Sequence, residues 1–282
     1  MKAIKNWVKR TPAAMAIYRP ISWRIHVIKD QWATRYWNRT HEVTTPFGFK
    51  LRAGAHPAYE QMRLGVFERE ETAAILNELQ TSDVFVDVGA NLGYYTLMAR
   101  QQGKPVVAFE PQAQNLHCLY SNLIANDWQD GVEVFPLALA ETPGILTLYG
   151  ASGPSASLVK GWAGYSSRFQ QSVAVSTLDH ILGGRFAGCR LLIKIDVEGA
   201  EYGVLRGAVA TLSRMPRPAW LVEICLNEYH PSGNPDFRAI FDIFCDHGYL
   251  ASTPEGVEVT ADDVAKWAAA GTTGGGFNYL FR

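Results

Sequence analysis

Val84-Phe85-Val86-Asp87-Val88-Gly89-Ala90-Asn91-Leu92-Gly93-Tyr94-Tyr95-Thr96 carries an apolar strand into a glycine turn and on into the start of a helix. After a short gap follows a second apolar run, Val106-Val107-Ala108-Phe109-Glu110-Pro111. Gly89 and Gly93 permit a tight turn and a close approach of backbone to a ligand. Asp87 ends the first strand and Glu110 ends the second, where a carboxylate can accept hydrogen bonds from both hydroxyls of a ribose. The unit has the parts to hold a nucleoside-bearing cofactor.

Outward from this unit, apolar runs of strand length alternate with helical patterns. The spacing predicts strands at 84–88, 105–109, 132–138, 144–149, 172–176, 190–195, 219–225, 248–252 and 277–281, and helices at 94–101, 112–125, 200–212 and 235–247. Such alternation builds a mostly parallel sheet covered on both faces. The expected fold is therefore α/β and Rossmann-like. It has a seven-stranded, mostly parallel sheet with an antiparallel edge strand, formed as 277–281 closes against 248–252. Ahead of this core (83–282), residues 41–82 read as an entry segment: a hairpin turning at Pro46-Phe47-Gly48, then an acidic helix from Phe67 to Leu79. A Ser/Gly-rich loop spans 150–170.

Hydrophobic content of 48%, charged content of 19% and a net charge of -1 describe an ordinary globular chain with no global pull toward nucleic acid. The charge is unevenly spread. Residues 1–40 hold nine of the 26 Lys/Arg but only one of the 27 Asp/Glu, Asp30. Four of the eight tryptophans (Trp7, Trp23, Trp32 and Trp37) lie there too. Ile21, Ile25, Ile28, Trp32 and Tyr36 recur at helical spacing, so 1–40 reads as a basic, Trp-rich helical extension before a domain at 41–282. The stripe is expected to pack on that domain or on a second copy in a homo-oligomer. Peripheral contact with the inner face of a membrane is the alternative. Cys118, Cys189, Cys225 and Cys245 include no C-x-x-C pair, so zinc and redox roles are not expected and free thiols suit a cytoplasmic setting. Ala13–Tyr18 is too short for a signal core, and no run approaches the roughly 18 apolar residues of a spanning helix.

The glycine turn discriminates between cofactors. A dinucleotide site wants G-x-G-x-x-G with helix N–H groups free for a pyrophosphate. Here the turn starts with an acid, its glycines are spaced G-x-x-x-G, and Tyr94-Tyr95 crowd the helix start. No Gly-Lys-Ser/Thr follows, which excludes a Walker loop. Asp87-x-Gly89-x-Asn91-x-Gly93 instead resembles motif I of class I S-adenosylmethionine-dependent methyltransferases, with Asn91 in place of the usual middle glycine. Such a cofactor has no phosphate. Its ammonium suits Asp87 and its ribose suits Glu110.

Leu192-Ile193-Lys194-Ile195-Asp196-Val197-Glu198-Gly199-Ala200-Glu201 adds a second acidic strand end. Together with motif I, Phe109-Glu110-Pro111 and Thr177-Leu178-Asp179, it resembles the FkbM family of methyltransferases over roughly 65–282. The resemblance implies methyl transfer to a hydroxyl oxygen of a sugar, glycan or natural product. It also implies a substrate-covering role for the loop 150–170, with Ser155, Ser157, Ser166 and Ser167. Cofactor contacts are expected from Glu68, Asp87, Gly89, Asn91 and Gly93, and from Tyr95, Glu110, Pro111 and Ala138.

On the acceptor side, Asp196, Glu223 or His230 could act as general base. Asp196 and Glu223 could instead hold a divalent cation such as Mg²⁺. With no third ligand evident, the metal-free route is preferred. Glu198 and Glu201 begin a helix, where acids also serve as caps. Two other functions stay open: an RNA, other nucleic-acid or other small-molecule methyltransferase, the basic 1–40 being what keeps RNA open, and a non-catalytic cofactor-binding protein. DNA is not expected, because Asp196-Val-Glu-Gly stands where base methyltransferases carry Asn/Asp-Pro-Pro-Tyr.

Overall fold

A computed structural model of the chain describes residues 41–54, 57–150, 156–164, 170–230, 232–273 and 276–282. The helical reading of 1–40, and Ser155, Ser166 and Ser167 of the loop, lie outside the described residues.

The entry segment forms the expected hairpin, β1 (His41–Thr44) and β2 (Lys50–Ala53), followed by two helices, α1 (Pro57–Leu64) and α2 (Arg69–Leu79). The core then runs β3 (Val84–Val88), α3 (Tyr94–Gln101), β4 (Val106–Phe109), α4 (Ala113–Ala125) and β5 (Val132–Phe135). Next come β6 (Ala138–Leu139), β7 (Gly144–Tyr149), β8 (Gln170–Ser176), α5 (Leu178–Leu182) and β9 (Leu191–Ile195). The chain continues through α6 (Glu201–Arg206), α7 (Val209–Leu212), β10 (Ala219–Glu223) and α8 (Phe237–Asp246). It closes with β11 (Ala251–Ser252), β12 (Glu258–Val259), α9 (Ala261–Ala270) and β13 (Asn278–Phe281).

The main sheet has eight strands in the order β12-β11-β13-β10-β9-β3-β4-β5. Its five strands β10, β9, β3, β4 and β5 are parallel, while β13 pairs antiparallel with both β10 and β11. Two expectations are corrected here. The β11–β12 hairpin brings the strand count to eight rather than seven, and β13 lies inside the sheet rather than at its edge. The predicted strand 132–138 also divides, because Pro136 offers no N–H to the ladder. Its second part, β6, joins β8 and β7 in a separate three-stranded sheet. The predicted helix 200–212 ends at Gly207 and restarts as α7. A β-carbon at Gly207 would lie 2.3 Å from the Ala140 carbonyl oxygen.

Every residue of β3, β4 and β9 is buried, as central strands covered on both faces require. The two-residue period splits them between two cores. Val86, Val107, Ile193 and Val222 pack with α6 and α8, whose Phe237, Ile240, Phe241 and Phe244 form one apolar face. Phe85, Ala108, Leu192 and Leu221 pack with α2 and α3. The chain order reverses between β3 and β9. In open α/β sheets that switch point opens a crevice beyond the strands' carboxyl ends.

Candidate functional site

Parallel pairing places Asp87 directly opposite Lys194, and ends β9 and β10 beside each other at Asp196 and Glu223. A pocket of about 270 Å³ opens there. Among the described residues, its charged lining consists of Glu68, Asp87, Glu110, Asp196, Glu198 and Glu223 against one cation, Lys194. Gly89, Ala90, Asn91, Pro111 and Asn115 complete the β3–β4 side, and Ala138, Leu158 and Tyr229 face them.

Each acid is held in its own way. The Glu110 carboxylate accepts the backbone N–H groups of Asn91 and Gln112, both at 2.8 Å. Burial nonetheless pushes its pKa up to about 7. Asp87 accepts the Thr96 hydroxyl at 2.6 Å, and burial raises it also. The Tyr95 hydroxyl donates to Glu68 at 2.7 Å, and burial lifts Glu68 to about 7. Lys194 lies over the Tyr95 ring at 4.9 Å and donates to Asp196 at 2.8 Å. Burial opposes the ammonium, yet Asp196, Glu68 and Asp87 outweigh it and raise Lys194. Burial pushes Asp196 upward too. The Lys194 charge and hydrogen bonds from Lys194 and Glu223 overcome that push and hold Asp196 below the usual carboxylate range. Glu223, buried beside Asp196 and Glu198, is raised well above its ordinary value. Within the pair, the Lys194 charge thus favours the ionised form on Asp196, and burial beside two other acids disfavours it on Glu223.

Backbone strain collects at the same place. Glu68, Asn91 and Glu198 take φ of +41°, +53° and +57°, and all three line the pocket. A left-handed glutamate costs about 1–2 kcal/mol, which surrounding structure must over-determine. Asn91 tolerates this geometry where a glycine would otherwise stand. Gly89 is needed for a reason other than ligand approach alone. A β-carbon there would sit 1.9 Å from the Asp196 carbonyl oxygen. At Gly93 it would meet Leu119 at 2.4 Å.

The structure brings together most of the expected residues: Glu68, Asp87, Gly89, Asn91, Tyr95, Glu110, Pro111, Ala138, Asp196 and Glu223 all line one pocket. Gly93 supports it from behind, as the residue preceding α3. His230 is outside the lining. Its ring meets Trp162 edge-on at 6.0 Å and its Nδ1 accepts the Ser232 N–H at 3.3 Å. The two helix-start acids separate. Glu201 accepts the Gly199 N–H at 2.9 Å, a capping contact, whereas Glu198 faces the pocket. Trp162 was not singled out from the sequence. Its indole N–H donates to the Glu198 carboxylate, and the only prior sign was one tryptophan in a Ser/Gly-rich loop. Among the described residues, no group of three or more His, Cys, Asp or Glu has metal-binding geometry, and no helix is long and apolar enough to cross a membrane.

A doubly wound sheet with an acidic pocket at its switch point defines a Rossmann-like α/β protein built around a ligand. The Methyltransferase FkbM domain family matches residues 87–251, more than half of the chain. The chain belongs to that methyltransferase family. No curated protein matches it. Among solved structures it is similar to the methyltransferase FkbM from Methylobacillus flagellatus KT. That match has 20% identity and a TM-score of 0.43, over 71% of this chain and 43% of the other. The chain therefore spans less than half the length of that protein. An O-methyltransferase from Bacillus cereus in complex with SAH matches at 13% identity and a TM-score of 0.43, over 76% and 79% of the two chains. Cofactor-bound Rv0187 from MTB matches at 14% and 0.42, over 81% and 90%. At these identities and scores the structures add nothing to the family assignment.

Proposed function

We propose that the chain is an S-adenosylmethionine-dependent O-methyltransferase acting on a hydroxyl of a sugar, glycan or natural product. The observation that carries the reading is Glu110. It stands at the end of β4 with both carboxylate oxygens oriented by backbone N–H groups, and the carboxylate keeps acceptor capacity beyond those two bonds. The donor set fits the cofactor in two further respects. Asn91 and Asn115 line the same end of the pocket, and each has a buried side-chain oxygen without a partner in the protein. The acidic lining suits a ligand carrying positive charge.

Glu110 would hold the ribose, and Asp87 with the Gly89–Gly93 turn would hold the amino-acid end. Glu68 and Tyr95 would brace Lys194 beside it. When bound, S-adenosylmethionine supplies a methyl group already activated on a sulfonium centre. What remains for the protein is alignment of the acceptor and help with one proton. Alignment in near-attack geometry can contribute about 7–11 kcal/mol. Asp196, kept ionised by Lys194, would accept the hydroxyl proton at its carboxylate as the new bond forms. Glu223, hydrogen-bonded to Asp196, would fix that carboxylate's direction. A cation held by Asp196 and Glu223 is the less favoured route, since Lys194 already occupies the charge of Asp196.

The test is incubation of the full chain with labelled S-adenosylmethionine and glycan fractions, followed by mass analysis. Label recovered as an O-methyl ether supports the reading. Label recovered on nitrogen or carbon, or none in any hydroxyl compound, removes it.

A further inference from the structure

We infer that Tyr229 is the platform on which the acceptor rests, so that it selects a saturated, hydroxyl-bearing ring over an open-chain alcohol. This rests on the proposed methyl transfer to a hydroxyl and names a further specificity-determining residue at that site.

The acceptor end of the pocket has two unlike walls. Asp196, Glu198 and Glu223, at or just beyond the carboxyl ends of β9 and β10, form the polar one. Leu158 and Tyr229, from two separate loops, form the apolar one. Burial raises the Tyr229 phenol above its ordinary value, and Cys225, Glu223 and Glu198 add to the rise. The phenol is therefore a neutral group beside those acids. A saturated ring bearing hydroxyls is divided in the same way. Its hydroxyls project around the rim, and its C–H bonds present an apolar face. That face leaves water by packing on a flat aromatic ring, whose negative π-face also attracts polarised C–H groups. An open-chain alcohol has no such face to lay down.

Tyr229 is held as a fixed surface. Its ring meets Phe277 edge-on at 6.0 Å and Trp162 at 6.2 Å. Both braces are anchored. The Phe277 carbonyl accepts the Ile224 N–H at 2.6 Å, one residue past the end of β10. Trp162 is 2% exposed, and its indole N–H donates to the Glu198 carboxylate, which ties this brace to the polar wall. The Tyr229 backbone is fixed as well, since its carbonyl accepts the Ala163 N–H at 2.7 Å. With both braces in place Tyr229 is still 45% exposed, and it lines the pocket. A ring ordered in advance gives up little side-chain freedom when a ligand settles on it. A merely structural tyrosine would hold the loops together without changing which acceptors bind.

The experiment has two arms, both on the full chain, with S-adenosylhomocysteine binding confirmed by calorimetry and folding by thermal unfolding. In the first, saturation-transfer NMR is recorded on the S-adenosylhomocysteine complex. The probes are the methyl pyranosides of glucose, mannose and galactose, each beside its open-chain hexitol. At least one pyranoside should bind, with the strongest transfer to its ring C–H protons, and its hexitol should bind about tenfold more weakly, the size of one aromatic contact. Tyr229→Ala should remove the pyranoside signal. No binding by any pyranoside, equal binding by its hexitol, or an unchanged signal in Tyr229→Ala overturns the inference. The second arm uses the acceptor identified in the labelled incubation. Tyr229→Leu keeps apolar bulk without a flat face. It should raise the acceptor KM about fivefold or more while kcat and S-adenosylhomocysteine affinity stay within about twofold, the pattern of lost uniform binding. Tyr229→Phe, which keeps the ring, should rescue KM to within about twofold of the wild type. A Leu variant as good as the Phe variant, or one that loses cofactor affinity as well, overturns the inference. A methyl ether formed on an open-chain hydroxyl overturns it too and leaves the proposed function intact. If no hydroxyl compound is labelled although the cofactor binds, the proposed function falls and this inference with it.

Discussion

Gly89→Ala tests whether the glycine turn is required by the meeting of two strand ends. The added β-carbon would lie 1.9 Å from the Asp196 carbonyl oxygen and 2.9 Å from its carbon, both backbone atoms. The Asp196 N–H is bonded to the Val88 carbonyl at 3.0 Å, so the obstructing segment is tied to the strand it would have to leave. The φ of +88° adds a left-handed penalty of about 1–2 kcal/mol. Overpacking of a tight site costs about 1–3 kcal/mol, and anchored backbone puts this case at the upper end. The expected loss is about 3–5 kcal/mol, a large share of the roughly 5–15 kcal/mol that holds a typical domain together. Gly103→Ala is the control. It has a similar φ of +76°, but nothing lies within 4 Å of the added carbon, so only the conformational penalty of about 1–2 kcal/mol should appear. Urea unfolding of both variants reads the difference, which is the cost of the close approach alone. If Gly89→Ala unfolds within about 1 kcal/mol of Gly103→Ala, the packing argument is wrong.

Two further outcomes follow from the charges. Asp196→Asn should leave S-adenosylhomocysteine affinity within about threefold and lower turnover by about 10²–10⁴, the range for a lost proton acceptor; steady-state kinetics beside calorimetry would show it, and full turnover would discard the role. Burial raises Glu68 and Glu110 to about 7 and Glu198 to about 8. The folded chain therefore binds protons more tightly than the unfolded chain between about pH 4.5 and 8, and stability should fall as pH rises through that window. Glu110 alone corresponds to about 3 kcal/mol. Unfolding free energies that rise from pH 5.5 to 8 in the ligand-free chain would contradict these shifts.

Much of this architecture was written in local pattern. The buried runs at 84–88, 106–109 and 191–195 are apolar apart from Asp87 and Lys194, each is followed by an acid or glycine, and they fold as central parallel strands. Glu110 and Asp196 could be placed because strand ends in such sheets share one crevice. Other features left weaker traces. Helix α9 begins with a capping box, Thr260 and Asp263 bonding each other's backbone N–H, but its alanine-rich body buries only Val264. Helix α1 starts at Pro57 and is only eight residues long. Strand β12 has two residues, below any periodic signal.

The site was legible only in part. Residues beside a glycine motif announce themselves through spacing, whereas Trp162 meets Glu198 across 36 positions of sequence. No local rule links that pair. The left-handed conformations of Glu68 and Glu198 were equally hidden, since glutamate gives no sign of a positive φ. His230 stands in a polar turn that looked available for catalysis, and packing turned its ring toward Trp162.

The central claim is that this pocket binds S-adenosylmethionine through Glu110. Titration calorimetry of the wild type and Glu110→Ala with S-adenosylhomocysteine tests it most directly, with thermal unfolding run alongside to confirm that the variant is folded. The wild type should bind. The variant should lose about 100-fold or more, the worth of two hydrogen bonds to a charged acceptor at about 1.5–3 kcal/mol each. Equal affinity in the two proteins, or no binding by a folded wild type, would contradict the account.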